Sequence, residues 1–262
     1  MYKRKDHPLI TLLVPVFNEE QAIDLFIETV EEKLAGKDFD YEYLFVDDGS
    51  SDTTLQILTE WSKKNHRIGV LALSRNFGKE AAMTAGIDAT RGDALVPIDV
   101  DLQDPPELII DFVEHWRSGY DVVYGKRSSR SAEGFVKRVS SEWFYKVFNF
   151  FSHTKIPEDV GDFRLIDRRV IDVIKQLPEK NRFMKGLFAW AGFKSKAVEY
   201  MRPDRAAGET KWNYWRLWNF AIDGVVGFST SPLRVWSYFG FFISILAFLY
   251  GSFIVDSIHN SG

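Results

Sequence analysis

Three aspartates and a glutamine stand close together in the segment "DVDLQD", residues 99–104. The segment ends a strand-like apolar run, and side chains two residues apart on a strand share a face, so Asp99 and Asp101 are expected to point the same way. Two carboxylates that close repel each other unless a cation lies between or beside them. Mg²⁺ and Mn²⁺ prefer oxygen ligands and keep positions open for substrate phosphates, so the pair predicts a metal site. The alternative is a pair of helix-capping aspartates without a metal.

A second acidic segment, "VDDGSSD" at residues 46–52, follows another apolar run. Asp47 and Asp48 can accept hydrogen bonds from a ribose or a base edge, and Gly49 permits a close backbone approach. The alternative is turn chemistry, since Asp-Gly-Ser is common in turns. The sequence has neither a Walker loop nor a G-x-G-x-x-G motif. A metal would therefore have to hold any phosphate groups.

Apolar runs alternate with amphipathic stretches, and this alternation predicts an α/β fold with a mostly parallel sheet and helices on both faces. The predicted strands are residues 9–17, 41–48, 67–74, 93–101, 120–125 and 194–201. The predicted helices are residues 19–34, 52–64, 78–89, 106–117, 133–152 and 211–228, with the segment 161–170 leading into another short helix. Ligands of such sheets bind beyond the carboxyl ends of the strands, where both acidic segments fall.

The C-terminal region contains an uncharged run, residues 235–255. At 1.5 Å per residue this run spans roughly 30 Å, so it is predicted to be a transmembrane helix, with a buried core helix as the alternative. The charges near the run are unequal: Lys211, Arg216 and Arg234 precede it, whereas Asp256 and His259 follow it. The positive-inside rule therefore places the N-terminal part in the cytoplasm. The Trp-rich helix at residues 211–228 is expected to lie in the membrane interface or else to pack in a core.

Composition narrows the classes of partner. The 262 residues carry a formal net charge of −4, which argues against a nucleic-acid partner. The absence of cysteine excludes disulfides and thiolate metal sites. The predicted organisation is a catalytic domain at residues 1–205, a juxtamembrane amphipathic region at 206–232, and a transmembrane helix with a short tail at 233–262.

Seven ordered motifs, spread over essentially the whole chain, resemble those of the family 2 glycosyltransferases that load a sugar onto a polyprenyl phosphate. The motifs are "PVFNEE", "DDGSSD", "RNFGKEAAMTAG", "DVDLQDPPE", "GKRSSR", "VGDFRLIDR" and "GETKWN", followed by "FSTSPLRVW". The sequence looks most like the bactoprenol glucosyltransferases, with dolichol-phosphate mannose synthases as more distant relatives. Such enzymes usually carry a second membrane span, and this chain stops at Gly262, so either the chain is expected to be truncated or its membrane anchor is incomplete.

The resemblance implies a Rossmann-like GT-A fold, a UDP-sugar donor, a polyprenyl phosphate acceptor, Mg²⁺ or Mn²⁺, inversion at the anomeric carbon and a place in the inner membrane. By resemblance, Asp101 is the main metal ligand with Gln103 nearby, and Asp99 lies toward the nucleotide and the metal. Asp162 takes the place of the catalytic carboxylate, with a turn residue as the alternative. The residues assigned to the nucleotide-sugar are Pro15, Phe17, Glu19, Asp47, Asp99 and Lys79.

An anionic acceptor requires cations in a site that already holds carboxylates and a diphosphate. The candidates are Arg127, Arg130, Arg205 and Lys211, because guanidinium and ammonium groups bind phosphate. For each of them the alternative is a solvated surface charge. The lipid phosphate has a second pKa of roughly 6, so it has little proton to give up near pH 7. Asp162 is therefore expected to position the cations or the sugar rather than to act as a general base.

Three other functions compete with glycosyl transfer, and a feature of the sequence argues against each of them. A nucleotidyltransferase that makes a nucleotide-sugar would share the fold and the metal carboxylates but would not need a membrane span. A haloacid-dehalogenase-type phosphatase would carry its Asp-x-Asp pair on the first strand, not the fourth. A non-catalytic membrane-bound subunit would not need an intact set of acidic residues. The identity of the sugar, with glucose as the expectation, and the formation of a homo-oligomer are not fixed by the sequence.

Overall fold

A computed structural model describes residues 4–127, 160–177, 187–188, 191–201 and 231–259. Its seven strands are β1 (Leu9–Val16), β2 (Asp40–Asp47), β3 (Ile68–Ala72), β4 (Ala94–Pro97), β5 (Val122–Arg127), β6 (Val160–Asp167) and β7 (Ser195–Tyr200). The helices in the described residues are α1 (Ile23–Leu34), α2 (Thr54–Lys64), α3 (Lys79–Ala89), α4 (Leu108–Arg117), α5 (Arg168–Lys175) and α6 (Ser231–His259). The strands form one sheet in the order β3-β2-β1-β4-β6-β5-β7.

The sheet is mostly parallel, as the alternation of elements predicts. β1 pairs in parallel with β2 and β4, β2 with β3, and β5 with β7. β6 is the reversed strand, because it runs antiparallel to both β4 and β5. Residues 161–170 lead into the short helix α5, as predicted, but the sequence did not predict that most of this segment forms β6. A strand that is covered on both faces need not alternate apolar and polar residues, so the periodicity did not reveal it.

Helices cover both faces of the sheet. Leu12 and Val14 of β1 pack on one face with apolar side chains of α1 and α4, among them Phe26 and Phe112. Leu13 points to the other face, where it packs with side chains of α3 and α5. Burial on alternate sides of one strand gives the sheet two cores, which hold the strand ends in fixed positions.

The fourth strand is shorter than the sequence predicts, because β4 ends at Pro97 rather than at residue 101. The alternation nevertheless continues past the strand, since Ile98 and Val100 are buried while Asp99 stays partly exposed. Leu102 has a φ of +55°, and the chain turns there. The N-cap of α4 is Glu107, so the aspartate pair does not occupy the capping position.

α6 contains the apolar run that the sequence predicts to be helical. Its segment Trp236–Ile254 is 19 residues long, apolar and not buried against the protein, and is long enough to cross a membrane. The helices predicted at 133–152 and 211–228 lie outside the described residues.

Candidate active site

Three charged side chains meet at the edge of the sheet where β1, β2 and β4 end. The ammonium of Lys79 lies 2.7 and 2.9 Å from the two carboxylate oxygens of Asp99. The same ammonium lies 3.1 Å from Oδ2 of Asp162. Asp162 reaches this edge because β6 runs antiparallel, so its first residues lie beside the carboxyl ends of the parallel strands. The two acidic residues of separate motifs therefore share one cation, and we call these three residues the Lys79 triad.

The Lys79 triad is open to solvent. The side chains of Lys79, Asp99 and Asp162 are 40%, 39% and 26% exposed, respectively. Burial alone would lower the pKa of Lys79, but the negative charges of Asp99 and Asp162 outweigh it and raise the pKa above its ordinary value. The ammonium is therefore charged at every physiological pH, and a ligand can approach it from the solvent.

Asp48 fixes the backbone that carries Lys79. Its carboxylate, only 3% exposed, accepts hydrogen bonds from the backbone N–H groups of Phe77 and Gly78, each at 2.8 Å. Gly78 has a φ of +97° and precedes the first residue of α3, which is Lys79. Although the sequence pattern groups Asp48 with Asp47 as an acceptor for the nucleotide, both of its oxygens serve this loop.

The loop that follows β2 fits closely against the same segment. Gly49 has a φ of +70°, and a Cβ atom there would lie 2.4 Å from the backbone carbon of Arg75. A side chain at this position would therefore push the loop between β3 and α3 away from the strand end. The sequence pattern did predict that this glycine permits a close backbone approach.

The loops after β1 and β2 bind each other through side chains. Oδ1 of Asn18 accepts a hydrogen bond from the backbone N–H of Ser51 at 2.8 Å, and the hydroxyl of Ser50 accepts one from the backbone N–H of Asn18 at 2.9 Å. A carboxylate oxygen of Glu20 accepts hydrogen bonds from the backbone N–H and the hydroxyl of Thr53, at 3.0 and 2.6 Å. Asn18 and Glu20 thus hold the two loops together. The sequence did not indicate this role, because the partners of both side chains belong to another loop that becomes a neighbour only in the folded protein.

The four residues that the resemblance assigns to the uridine lie in the loop after β1 and at the ends of the strands β1 and β2. Pro15 is paired with Val46 in the sheet, one residue before Asp47 at the end of β2. Asp47 is buried and accepts weak hydrogen bonds from the backbone N–H of Ser50, at 3.3 Å. Phe17 and Glu19 are partly buried in the loop after β1. These four residues share one corner of the sheet edge.

The expected metal ligands lie in the turn after β4. Oδ1 of Asp101 accepts a hydrogen bond from the backbone N–H of Gln103 at 3.2 Å. Within the described part of the chain, no group of three or more Asp, Glu, His or Cys residues could hold a metal ion. Mg²⁺ is commonly bound through one or two carboxylates together with substrate phosphates and water, so Asp99, Asp101 and the amide of Gln103 fit a metal of that kind.

Of the four cations expected to bind the acceptor, Arg127 lies within the described residues. Arg127 is the last residue of β5, and its backbone pairs with Tyr200 of β7. Arg130, Arg205 and Lys211 lie outside the described residues. Among the predicted site residues, Lys79 is in direct contact with Asp99 and Asp162.

Comparison with known proteins supplies the family. The sequence profile described as "Glycosyl transferase family 2" matches residues 11–175. A bactoprenol glucosyl transferase of Shigella phage SfX is 50% identical over 250 residues, which covers 95% of this chain and 82% of that protein.

Solved structures share the fold at low sequence identity. Glucosyl-3-phosphoglycerate synthase from Mycobacterium tuberculosis, solved with Mn²⁺, UDP-glucose and phosphoglyceric acid, gives a TM-score of 0.55 at 19% identity and covers 86% of this chain and 79% of that chain. The mannosyltransferase PcManGT from Pyrobaculum calidifontis, in complex with GDP-Man and Mn²⁺, gives 0.56 at 16% identity and covers 80% of this chain and 60% of that chain. At these identities the likeness shows the fold.

Proposed function

The chain belongs to glycosyl transferase family 2, and from that premise we propose that it moves glucose from UDP-glucose to a polyprenyl phosphate. The observation that carries the proposal is the 50% identity to a bactoprenol glucosyl transferase over 95% of the chain. Family membership also favours transfer of a sugar over the nucleotidyl transfer left open by the sequence.

The proposed reaction is a single displacement. An oxygen of the lipid phosphate attacks C1 of the sugar, the bond from C1 to the donor diphosphate breaks, and UDP leaves with inversion at C1. Negative charge grows on the leaving diphosphate, and fixed cations at that place lower the barrier. Lys79 is a cation of this kind, because it lies at the sheet edge and is held by two carboxylates.

A divalent metal would be held by Asp101, with Gln103 and Asp99 beside it. When bound, Mg²⁺ or Mn²⁺ would act as a Lewis acid on the diphosphate. The corner formed by Pro15, Phe17, Glu19 and Asp47 would take the uridine. Arg127, Arg130, Arg205 and Lys211 remain the proposed cations for the lipid phosphate.

Product analysis tests this proposal directly. The purified full chain is offered a panel of UDP-sugars with undecaprenyl phosphate, and the lipid product is measured by mass spectrometry. We expect a product only with polyprenyl phosphate, and most of it with UDP-glucose. Chelation by EDTA should stop transfer, and added Mg²⁺ or Mn²⁺ should restore it. Full activity in EDTA would refute the metal, and a product with another sugar would correct the donor.

α6 is proposed to anchor the enzyme in the inner membrane with the sheet on the cytoplasmic side. The apolar segment Trp236–Ile254 and the basic residues before it support this orientation. Because the chain has no cysteine, each single variant carries one reactive thiol. Lys64→Cys places it before the proposed span, and Ser261→Cys places it after the span. In intact cells an impermeant maleimide should label position 261 and not position 64. The reverse pattern would overturn the orientation, and labelling of both would overturn the span.

A further inference from the structure

The Lys79 triad joins three elements that are distant in sequence. Asp99 follows β4, Asp162 lies near the start of β6, and Lys79 begins α3. The nitrogen of Lys79 is within 3.1 Å of a carboxylate oxygen from each of the two aspartates. Since Asp48 holds the two backbone amides just before Lys79, the stem of the lysine starts from a fixed point.

We propose that Asp162 is a positioning residue that acts through Lys79 rather than the base that accepts a proton from the acceptor. Asp162 and Asp99 together hold the ammonium at the place where charge develops on the leaving diphosphate. This inference rests on the proposed glucosyl transfer and deepens it, because it assigns the task of the carboxylate on β6.

A lysine needs such support because its side chain is a flexible four-carbon stem that ends in a compact charge. One carboxylate partner would still let the stem adopt several rotamers. Two partners on different segments, one just after β4 and one on β6, restrict it to one place, so the ordering is complete before the donor binds. The contact also uses Oδ2 of Asp162, so this oxygen already faces a cation of the protein.

The chemistry of the acceptor agrees with this role. A phosphate monoester has a second pKa of roughly 6, so near pH 7 it already carries the lone pair and the charge it needs for attack. A carboxylate that stood alone beside this dianion would repel it. Paired with Lys79, the carboxylate of Asp162 supports a cation instead.

A double-mutant cycle separates the two roles of Asp162. We expect Lys79→Met to lower kcat about 10²–10³-fold, because it removes a fixed cation from the developing charge. Asp162→Asn should lower kcat about 10–100-fold, the usual range for loss of a supporting group, and should leave KM for the lipid nearly unchanged. In the Lys79→Met background, Asp162→Asn should cost less than about threefold more, since the ammonium that Asp162 positions is already gone.

A general base would give the opposite pattern. The loss caused by Asp162→Asn would then keep its full size in the Lys79→Met background, and it would shrink as pH rises from 7 to 9. The matched control is Asp111→Asn, the same change at an exposed position of α4, which should leave kcat as in the unaltered protein.

Binding of UDP gives a second readout that needs no turnover. Measured by calorimetry with the full chain in detergent, the affinity for UDP should fall about tenfold in Asp162→Asn and should fall no further when Asp162→Asn is added to Lys79→Met. A base that acts on the lipid would leave UDP affinity unchanged, and that result overturns the inference. If the unaltered protein makes the lipid-linked sugar but the cycle is additive, only this inference fails. If it makes no such product, the proposed function fails, and the inference with it.

Discussion

Two clusters of charged side chains lie at opposite ends of the strands, one at the carboxyl ends of the parallel strands and one at their amino ends, and the two clusters are built differently. At the carboxyl edge, Lys79 is shared by two aspartates that are partly exposed. At the amino edge, Asp167 is completely buried and is contacted by Nε of Arg4 and Nε of Arg169, both at 3.1 Å. Asp121, which is 13% exposed, is contacted by the same two guanidinium groups. We call these four residues the Arg4 cluster.

The difference lies in the burial of the carboxylates and in their access to solvent. In the Arg4 cluster two guanidinium groups meet two carboxylates, and the indole N–H of Trp116 donates a further hydrogen bond of 2.7 Å to Asp167. The side chain of Arg169 is 40% exposed, but the carboxylate of Asp167 that it contacts is completely buried, and Arg4 ties the N-terminal segment to the sheet through the same carboxylate. In the Lys79 triad the ammonium and both carboxylates it contacts are partly exposed, so a charged ligand can reach them. The first cluster should govern stability and the second should govern turnover.

The largest expected effect comes from Asp167→Ala. It leaves the guanidinium groups and the indole N–H without their buried acceptor, so the free energy of unfolding should fall by about 3–5 kcal/mol. The same change at Asp99 should alter that free energy by less than about 1 kcal/mol, because the pair is exposed. Urea unfolding of the full chain in detergent, followed by tryptophan fluorescence, measures both. Equal losses of unfolding free energy in the two variants would contradict the proposed difference between the clusters.

Asp48→Ala should affect stability and turnover together. Two backbone amides lose their acceptor, which should cost about 1–3 kcal/mol, and Lys79 loses the fixed start of its stem. Asp48→Asn keeps one acceptor oxygen and should fall between the two proteins in both measurements. If Asp48→Ala is destabilised but retains the full transfer rate, the loop does not position Lys79.

The bond between the first two loops gives a smaller effect. Glu20→Ala removes the acceptor of two hydrogen bonds from Thr53 and should cost about 1 kcal/mol of stability. Because these two hydrogen bonds align the corner proposed for uridine, KM for the UDP-sugar should rise while kcat stays nearly the same. Glu28→Ala, an exposed change on α1, is the matched control. A fall in kcat at constant KM would place Glu20 with the Lys79 triad instead.

The smallest expected effect is the pH dependence of stability that arises from the Arg4 cluster. Burial alone would raise the pKa of Asp167, but hydrogen bonds from Arg169, Trp116 and Arg4 lower it below its ordinary value of 3.8. A lowered pKa in the folded state adds stability above pH 3.8, and this stability is lost as pH falls toward the folded value. The free energy of unfolding, measured by urea unfolding at several pH values from 6 to 3, should therefore fall less with decreasing pH in Asp167→Asn than in the unaltered protein. Parallel curves would contradict this assignment.

The sequence by itself determined much of the architecture. Five of the seven strands coincide closely with predicted runs, and β4 begins as predicted but ends early. The apolar helix α6 was also predicted, because length and lack of charge are local properties. The motifs at the ends of β1, β2 and β4 were placed at one edge of the sheet, since parallel strands bring their carboxyl ends together.

Only the tertiary structure decided which charged groups meet. β6 was missed as a strand, and its reversed direction is what brings Asp162 to the edge that holds Asp99 and Lys79. The task of Asp48 was hidden for the same reason, because its partners are backbone amides of another loop. Periodicity reports how one segment faces a core, whereas a contact between segments depends on strand order and direction, which the core packing of the whole sheet selects.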